Sequence, residues 1–338
     1  MSVLAFPELE PARAPAEERG RTRADVALLV ATRSDGELRS ARFEELGRFL
    51  LGGDLLVVNT SATLPAALGS RLHGDEILVH LSTPLDPRRW VAELRAADLR
   101  PLEPPAAGTR LELPGGGGLT LQGPHRGSDR LVEADIDVPG GVSALLARHG
   151  APIRYRDHGR RWPLEAYQTV FALEPGSAEM PSAGRPFSAE LVTELVARGV
   201  LVAPVTLHAG VSSLEGDEQP FPERYRVPAE TARLVNAVHG WGGRVIAAGT
   251  TVVRALETVA APGGTVAPGA GWTSVVVGPE RGLRSVDGLI TGWHEPESSH
   301  LLMLEAAAGP GLLERSYERA AALGLLSHEF GDAHLVLP

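Results

Sequence analysis

The sequence predicts an α/β protein in which a largely parallel sheet with helices is interrupted by an inserted all-β, barrel-like domain. Three observations point there. From Ser188 onward, apolar runs of strand length alternate with longer segments of helical period, as in βα units around a parallel sheet. Between 68 and 138 that alternation gives way to short β-like runs broken by proline and glycine. Ahead of it, GDLLVVNT (53–60) is apolar between a glycine and a polar exit, which suits a buried strand. The expected division is 1–67 with 139–338 for the α/β domain and 68–138 for the insertion.

Taken in chain order, ALLVA (27–31) reads as a strand and FEELGRFL (43–50) as a short amphipathic segment. Inside the insertion, EILVHL, WVAELRA, TRLELP and LTLQG are the strand-like runs, and the four glycines 115–118 mark a hairpin tip. SALLARHG is helical. Ser188 and Gly199 are the natural caps of the helix SAELVTELVARG. The strand VLVAPVTLH, the helix AETARLVNAVHGWG, the strand RVIAAGTT and the helix VVRALETVA follow. AAPGGTVAPGAG (260–271) reads as a flexible loop, WTSVVVGP as another strand, and 301–308 and 312–323 as closing helices.

A chain of 338 residues that is 43% hydrophobic has room for two cores. The absence of cysteine excludes disulfides, thiolate zinc sites and cysteine nucleophiles. A formal charge of −10, from 42 acidic against 32 basic residues, opposes broad adhesion to phosphate backbones or anionic lipid. Two local clusters remain, Arg154, Arg156, Arg160 and Arg161 in RYRDHGRRW and Arg13, Arg19, Arg21 and Arg23 near the start; each is either an RNA-facing patch or solvated surface. The N-terminal stretch lacks the basic and apolar pattern of a signal peptide, and no apolar run reaches membrane-spanning length, so the expected location is the cytoplasm.

Candidate chemistry gathers at strand ends. In RVIAAGTTVVRALE a buried strand runs through Gly249 into Thr250 and Thr251 at a helix start, where amides and hydroxyls favour a polar ligand edge. Arg254 and Glu257 lie three apart on that helix and share a face, either as a structural pair or as ligand contacts. APVTLHAG ends in His208 and Gly210. A histidine there serves as acid, base or hydrogen-bond donor, or simply packs. In VDGLITGWHEPESSH, the crowded Asp287, His294, Glu295, Glu297 and His300 match neither a helical two-histidine zinc site nor a calcium loop. There is no phosphate-binding P-loop and no dinucleotide glycine fingerprint.

YQTVFA (167–172), PSAGRPFS (181–188), TLHAG, AAGTTVVRALE, VDGLITGWHEP and FGDAHLVL follow one another in the order of the motifs of the S-adenosylmethionine:tRNA ribosyltransferase-isomerase family, which the chain resembles over nearly its whole length. FEELGRFLLGGDLLVVNT resembles that family's N-terminal pattern. The resemblance implies a β-barrel within an α/β domain. It implies transfer and isomerisation of the ribosyl moiety of S-adenosylmethionine onto a 7-aminomethyl-7-deazaguanine in tRNA, giving epoxyqueuosine, adenine and methionine. S-adenosylmethionine is then a consumed cosubstrate, tRNA a partner, and no metal is called for. Ser182, Gly184, His208, Gly210, Thr250, Thr251, Arg254, Glu257, His294 and Asp332 match family positions expected at the substrates, with His208 first and Glu223 second for acid–base work.

Departures from the family pattern fall where ligands are expected. Ser182 stands for threonine, and Pro186 for histidine. Asn59, Thr60, Ser61 and Ala62 replace an asparagine-aspartate-threonine-arginine run, which removes both charges. QPFPERY lacks a family histidine but keeps Glu223 and Tyr225. Gly292, Trp293 and Glu295 stand for asparagine, phenylalanine and an apolar residue. Such changes shift selectivity, because hydrogen-bonding sites discriminate through the partners they leave unpaired. Two alternatives therefore stay open beside the family reaction: an enzyme consuming S-adenosylmethionine with a small-molecule acceptor, and a non-catalytic S-adenosylmethionine-binding protein.

Overall fold

The computed structural model describes residues 6–155, 160–211, 220–294 and 300–338. Its main sheet has nine strands, built around four parallel ones: Leu201–His208, Leu55–Asn59, Val245–Ala248 and Gly288–Gly292, in that spatial order. Three of these are buried on nearly every residue, which is why they read as unbroken apolar runs. Antiparallel strands extend both flanks. Glu223–Val227 and Gly269–Thr273 lie beyond Leu201–His208. On the other side Ala333–Leu337 runs against Gly288–Gly292 and is followed by Ala27–Thr32 and Leu38–Arg42.

Alternation along each central strand feeds two separate cores. Leu55 and Val57 join Val205, Val245 and Ala247 under the helices Ala229–Gly240, Thr250–Val259 and Pro310–Leu323. Leu56 and Val58 join Ile246 and Ala248 on the opposite face, against Leu191 and Leu195 of the helix Ala189–Ala197. That helix starts as its sequence requires, with the Leu191 amide donating to the Ser188 hydroxyl at 3.2 Å. Phe43–Arg48 winds as a 3₁₀ helix whose Phe43 and Leu46 close the same core.

WTSVVVGP is not a strand beyond Thr273; the strand is Gly269–Thr273, which begins inside the segment expected to be loop. Val275 and Val277 are apolar because they pack on the core, and the Val275 carbonyl accepts from Arg254 Nε at 3.2 Å instead of from a neighbouring strand. Among the described residues no helix is long and apolar enough to cross a membrane.

The inserted sheet has six antiparallel strands in the order Ala67–Leu72, Asp75–Pro84, Arg89–Ala96, Leu131–Asp137, Gly118–Pro124 and Arg110–Glu112. Its two edges approach each other, and the Ser70 hydroxyl donates across the gap to the Glu112 carbonyl at 2.7 Å, so the sheet nearly closes. The tip before Gly118 is left-handed at Gly115, Gly116 and Gly117, with φ of 79, 93 and 86°. The helix Gly141–His149 plugs one end with Val142, Leu145 and Leu146.

Inside lies a charged network. Glu93 is fully buried and accepts from Arg95 at 2.8 and 2.9 Å, from Arg130 at 2.5 Å and from His80 at 3.2 Å. Burial alone would raise this carboxyl, but the hydrogen bonds from His80 and Arg95 and the charges of Arg95 and Arg130 outweigh it and hold the pKa at about 2. Removing one charge from such a cluster strands the others. Glu93→Gln is therefore expected to lower the unfolding free energy by about 3–5 kcal/mol at neutral pH, read from denaturant midpoints. Because the folded pKa lies below the ordinary value of 4.5, the unfolded chain takes up the proton first. The wild-type advantage is complete above about 4.5 and disappears as the pH falls toward about 2. Equal midpoints for variant and wild type at neutral pH would refute it.

Candidate active site

Four parallel strands send their carboxyl ends to one edge, and this decides where polar side chains meet. Asn59, His208, Gly249 and Gly292 all sit at those ends. Antiparallel neighbours bring their amino ends to the same edge: Glu223 beside His208, whose register partner is Arg224, and Asp332 beside Gly292, whose partner is Ala333. The turn Ser182–Gly184 lies over the middle. Gly249 has φ 108°, and a Cβ there would sit 3.3 Å from Ala183, so the helix Thr250–Val259 begins directly beneath that turn. Gly184 is held close in turn, since a Cβ would lie 3.2 Å from Thr169. Every expected site residue except Glu257 collects along this edge.

His208 is half-buried, and its Nδ1 lies 2.8 Å from the Ser61 hydroxyl. Ser61 is 2.6 Å from the Ser177 hydroxyl, which accepts from the Ala209 amide at 3.0 Å. Beside them the Asn59 carboxamide donates to Thr251 Oγ1 at 3.1 Å, linking the histidine's surroundings to the helix start. Burial pushes the His208 pKa below that of a free imidazole; Glu174 opposes the shift, while Arg224 and Arg226 assist it. Thr250 is 8% exposed, and its hydroxyl has no hydrogen-bond partner among the described residues.

Glu223 pairs with Arg254 and accepts from the Gly210 amide at 3.1 Å. Burial drives its carboxyl upward, against the pull of the Arg254 charge and that amide. The rest of the Arg254 guanidinium is spent on the carbonyls of Phe221, Thr273 and Val275 at 3.2–3.3 Å. Gly210 owes its glycine to close approach rather than to a left-handed turn, since a Cβ would come 2.7 Å from Ser82 of the barrel. Glu257 belongs elsewhere. It pairs with Arg281 at 2.6 Å and accepts from the amides of Arg284 and Ser285 at 2.8 and 2.9 Å, in the segment feeding the opposite end of Gly288–Gly292. Arg254 and Glu257 thus share a helix without pairing.

Across the cleft, His294 Nε2 lies 2.9 Å from the Thr291 hydroxyl and its ring stacks on His300 at 4.6 Å. Burial first, then the neighbouring His300, His328 and His334, hold its pKa well below the usual imidazole value. Asp332 accepts from the amides of Ala27 and Leu326, both at 2.8 Å, which fixes the turn before the last strand. Asp287 is remote, bound to His239 at 3.0 Å and the Val245 amide at 2.8 Å. Glu295 and Glu297 lie outside the described residues, as does Arg156. Arg19 and Arg23 donate to the carbonyls of Phe330 and Gln168, and Arg160 pairs with Glu18 while covering Trp162. These arginines staple the N-terminal segment to the molecule.

Sequence reading singled out none of Ser61, Ser177 and Glu329 as site residues. Ser61 carried a signal as part of the altered run after the central strand, whereas the partner that gives it meaning, Ser177, is remote in sequence. Glu329 is held in the turn beside Asp332, and burial together with Glu179 raises its carboxyl to about 8. It lines both the small space at Ser182 and Thr291 and a second one at Arg154 and Trp162. Arg154, Trp162 and Tyr167 in turn wall a cavity of about 580 Å³ that runs along the barrel past Arg71, His80 and His149. Arg154, Trp162 and Tyr167 thus line both the barrel-face cavity and the small space at Glu329.

Gly176 offers a direct probe of this arrangement, because a Cβ there would lie 2.3 Å from His208 Nδ1. Gly176→Ala is expected to displace the imidazole, cutting turnover by roughly two orders of magnitude while leaving the circular dichroism spectrum unchanged. Wild-type turnover in a folded variant would show that the ring's position does not matter.

Residues 4–336 match the family model described as queuosine biosynthesis protein. An S-adenosylmethionine:tRNA ribosyltransferase-isomerase of Symbiobacterium thermophilum is 38% identical, the alignment covering 96% of both chains. One from Geobacter sulfurreducens is 36% identical over 96% of this chain and 95% of its own. Among solved structures, an S-adenosylmethionine tRNA ribosyltransferase from Thermotoga maritima superposes with a TM-score of 0.54 at 26% identity, covering 98% of this chain and 99% of the other. With the family's sequence over nearly its full length, a mixed sheet with helices and an inserted near-barrel, this chain belongs to the queuosine biosynthesis protein family.

Proposed function

We propose that this chain is an S-adenosylmethionine:tRNA ribosyltransferase-isomerase, acting in the cytoplasm on a 7-aminomethyl-7-deazaguanine in tRNA and releasing adenine and methionine. Full-length similarity to proteins of that name carries the reading. The convergence of the expected site residues on one strand-end cleft supports it.

In this scheme a base removes a proton next to the sulfonium, adenine departs, and the acceptor amine attacks the activated sugar fragment. His208 meets the reacting atoms as acid, base or hydrogen-bond donor, with Glu223 as the second acid–base group. Thr250 and Thr251 hold polar groups of S-adenosylmethionine at the helix start. Ser182, Gly184 and His294 shape the opposite wall, and Asp332 holds the turn behind it. Arg254 acts through Glu223, whose carboxylate it grips, and Glu257 stabilises the far end of the helix. Arg71, Arg154 and Arg161 beside Trp162 suit a polynucleotide entering along the barrel, since guanidinium groups meet phosphates and an indole stacks on a base.

Mass spectrometry of the mixture decides the matter. Adenine and methionine are expected only when S-adenosylmethionine and tRNA bearing the 7-deazaguanine amine are both present. Release without tRNA would instead favour a small-molecule acceptor, and tight binding without any release a non-catalytic protein. His208→Ala is expected to keep the fold and lose roughly two to four orders of magnitude in turnover. Full activity in that variant would move the chemistry to Glu223.

A further inference from the structure

We propose that Ser177 and Ser61 lock His208 as the neutral tautomer protonated on Nε2, so that the ring meets its ligand as a hydrogen-bond donor and not as the base. This rests on the reading of His208 given above, and it makes Ser61 and Ser177 positioning residues.

The assignment follows from counting protons along one chain of hydrogen bonds. The Ala209 amide is only a donor, so at 3.0 Å it occupies a lone pair of Ser177 Oγ. The Ser177 side chain is fully buried, and the one acceptor for its own proton among the described residues is Ser61 Oγ at 2.6 Å. Ser61, also fully buried, then directs its proton to His208 Nδ1 at 2.8 Å, which must be the unprotonated nitrogen. Reversing the direction would leave the Ser177 proton buried without an acceptor, which folded proteins avoid. The ring is also closely packed at this contact. A Cβ on Gly176 would sit 2.3 Å from Nδ1 and 2.5 Å from Cε1, so backbone packs directly against that side of the imidazole.

What remains is Nε2, which takes no hydrogen bond among the described residues. The charged groups around the ring are Glu174 on one strand and Arg224 and Arg226 on another, and burial outweighs them in favouring the uncharged form. A neutral Nε2–H suits a ligand atom that carries a lone pair or gains negative charge, such as a purine nitrogen as its bond to the sugar breaks. Removal of the proton beside the sulfonium then falls to another group.

Nitrogen-15 spectra of histidine-labelled protein test this directly, with the His208 signals identified by their loss in His208→Gln. At neutral pH the expected pattern is a pyridine-type Nδ1 and a protonated, pyrrole-type Nε2; a protonated Nδ1 or a charged ring would overturn the proposal. In Ser61→Ala the ring is expected to become a mixture of tautomers, with kcat lower by roughly 10- to 100-fold and KM little changed, and Ser61→Thr is expected to restore both. Retention of the pure Nε2–H form in Ser61→Ala would remove Ser61 from the mechanism. A tautomer shift with unchanged turnover would leave the assignment standing and defeat the catalytic reading of His208. The wild-type spectrum decides the tautomer even if a serine variant fails to fold.

Discussion

The carboxamide of Asn59 holds the site together. It is 4% exposed and spends its whole hydrogen-bonding capacity, accepting from the amides of Ser61 and Leu207 at 3.0 and 3.1 Å and donating to the Leu207 carbonyl and Thr251 Oγ1 at 2.9 and 3.1 Å. Two parallel strands and the helix that follows a third are thereby tied at the edge where the sheet ends. Each bond contributes about 1 kcal/mol net, but each buried partner left unpaired costs about 1–3 kcal/mol. The larger consequence is geometric. Ser61, His208 and Thr251 keep fixed relative positions because one side chain measures the distances between them.

Around that anchor the edge is kept nearly free of net charge. Glu223 and Arg254 cancel as a pair, and burial holds His208, His294 and His300 toward their neutral forms. A sulfonium ligand is a cation, and protonated imidazoles at this edge would repel it. The same burial strengthens any hydrogen bond that a neutral imidazole donates, since little water competes. The formal charge of −10 belongs to the chain as a whole, in which exposed carboxylates such as Glu76, Asp98 and Asp137 are each paired with an arginine.

The sequence made the central elements legible because their signals are local. Fully buried parallel strands read as apolar runs, capped helices announce their ends, and the strand-end rule placed His208, Thr250 and Thr251 on one edge. Partnership was not legible in the same way. Arg254 and Glu257 are three apart on a helix, which suggests a pair, yet each is claimed by a segment brought in from elsewhere: Glu223 for one, Arg281 for the other. The short strand Ser61–Thr63 pairs with Glu174–Ser177, and no local pattern marks two such brief runs as neighbours. Gly269–Thr273 escaped for a related reason. It lies at the sheet's margin, largely exposed, with a composition otherwise typical of loops.

The departures from the family pattern look different once their partners are known. At position 60 a hydroxyl stands in place of the family's aspartate and lies 3.0 Å from the Thr206 hydroxyl, while Ser61 keeps the hydroxyl of the family's threonine and lies 2.6 Å from that of Ser177. At Trp293 the outcome is the reverse. Its indole nitrogen and both nitrogens of His334, on which it stacks at 4.6 Å, have no partners among the described residues. Burying unpaired polar atoms is costly, so the wall around Trp293 carries a penalty that the paired hydroxyls of Ser61 and Ser177 beside His208 avoid. Beside His208 the hydroxyls of Thr60, Ser61 and Ser177 are each paired, so the imidazole rests on a matched chain of hydrogen bonds where the segment has changed.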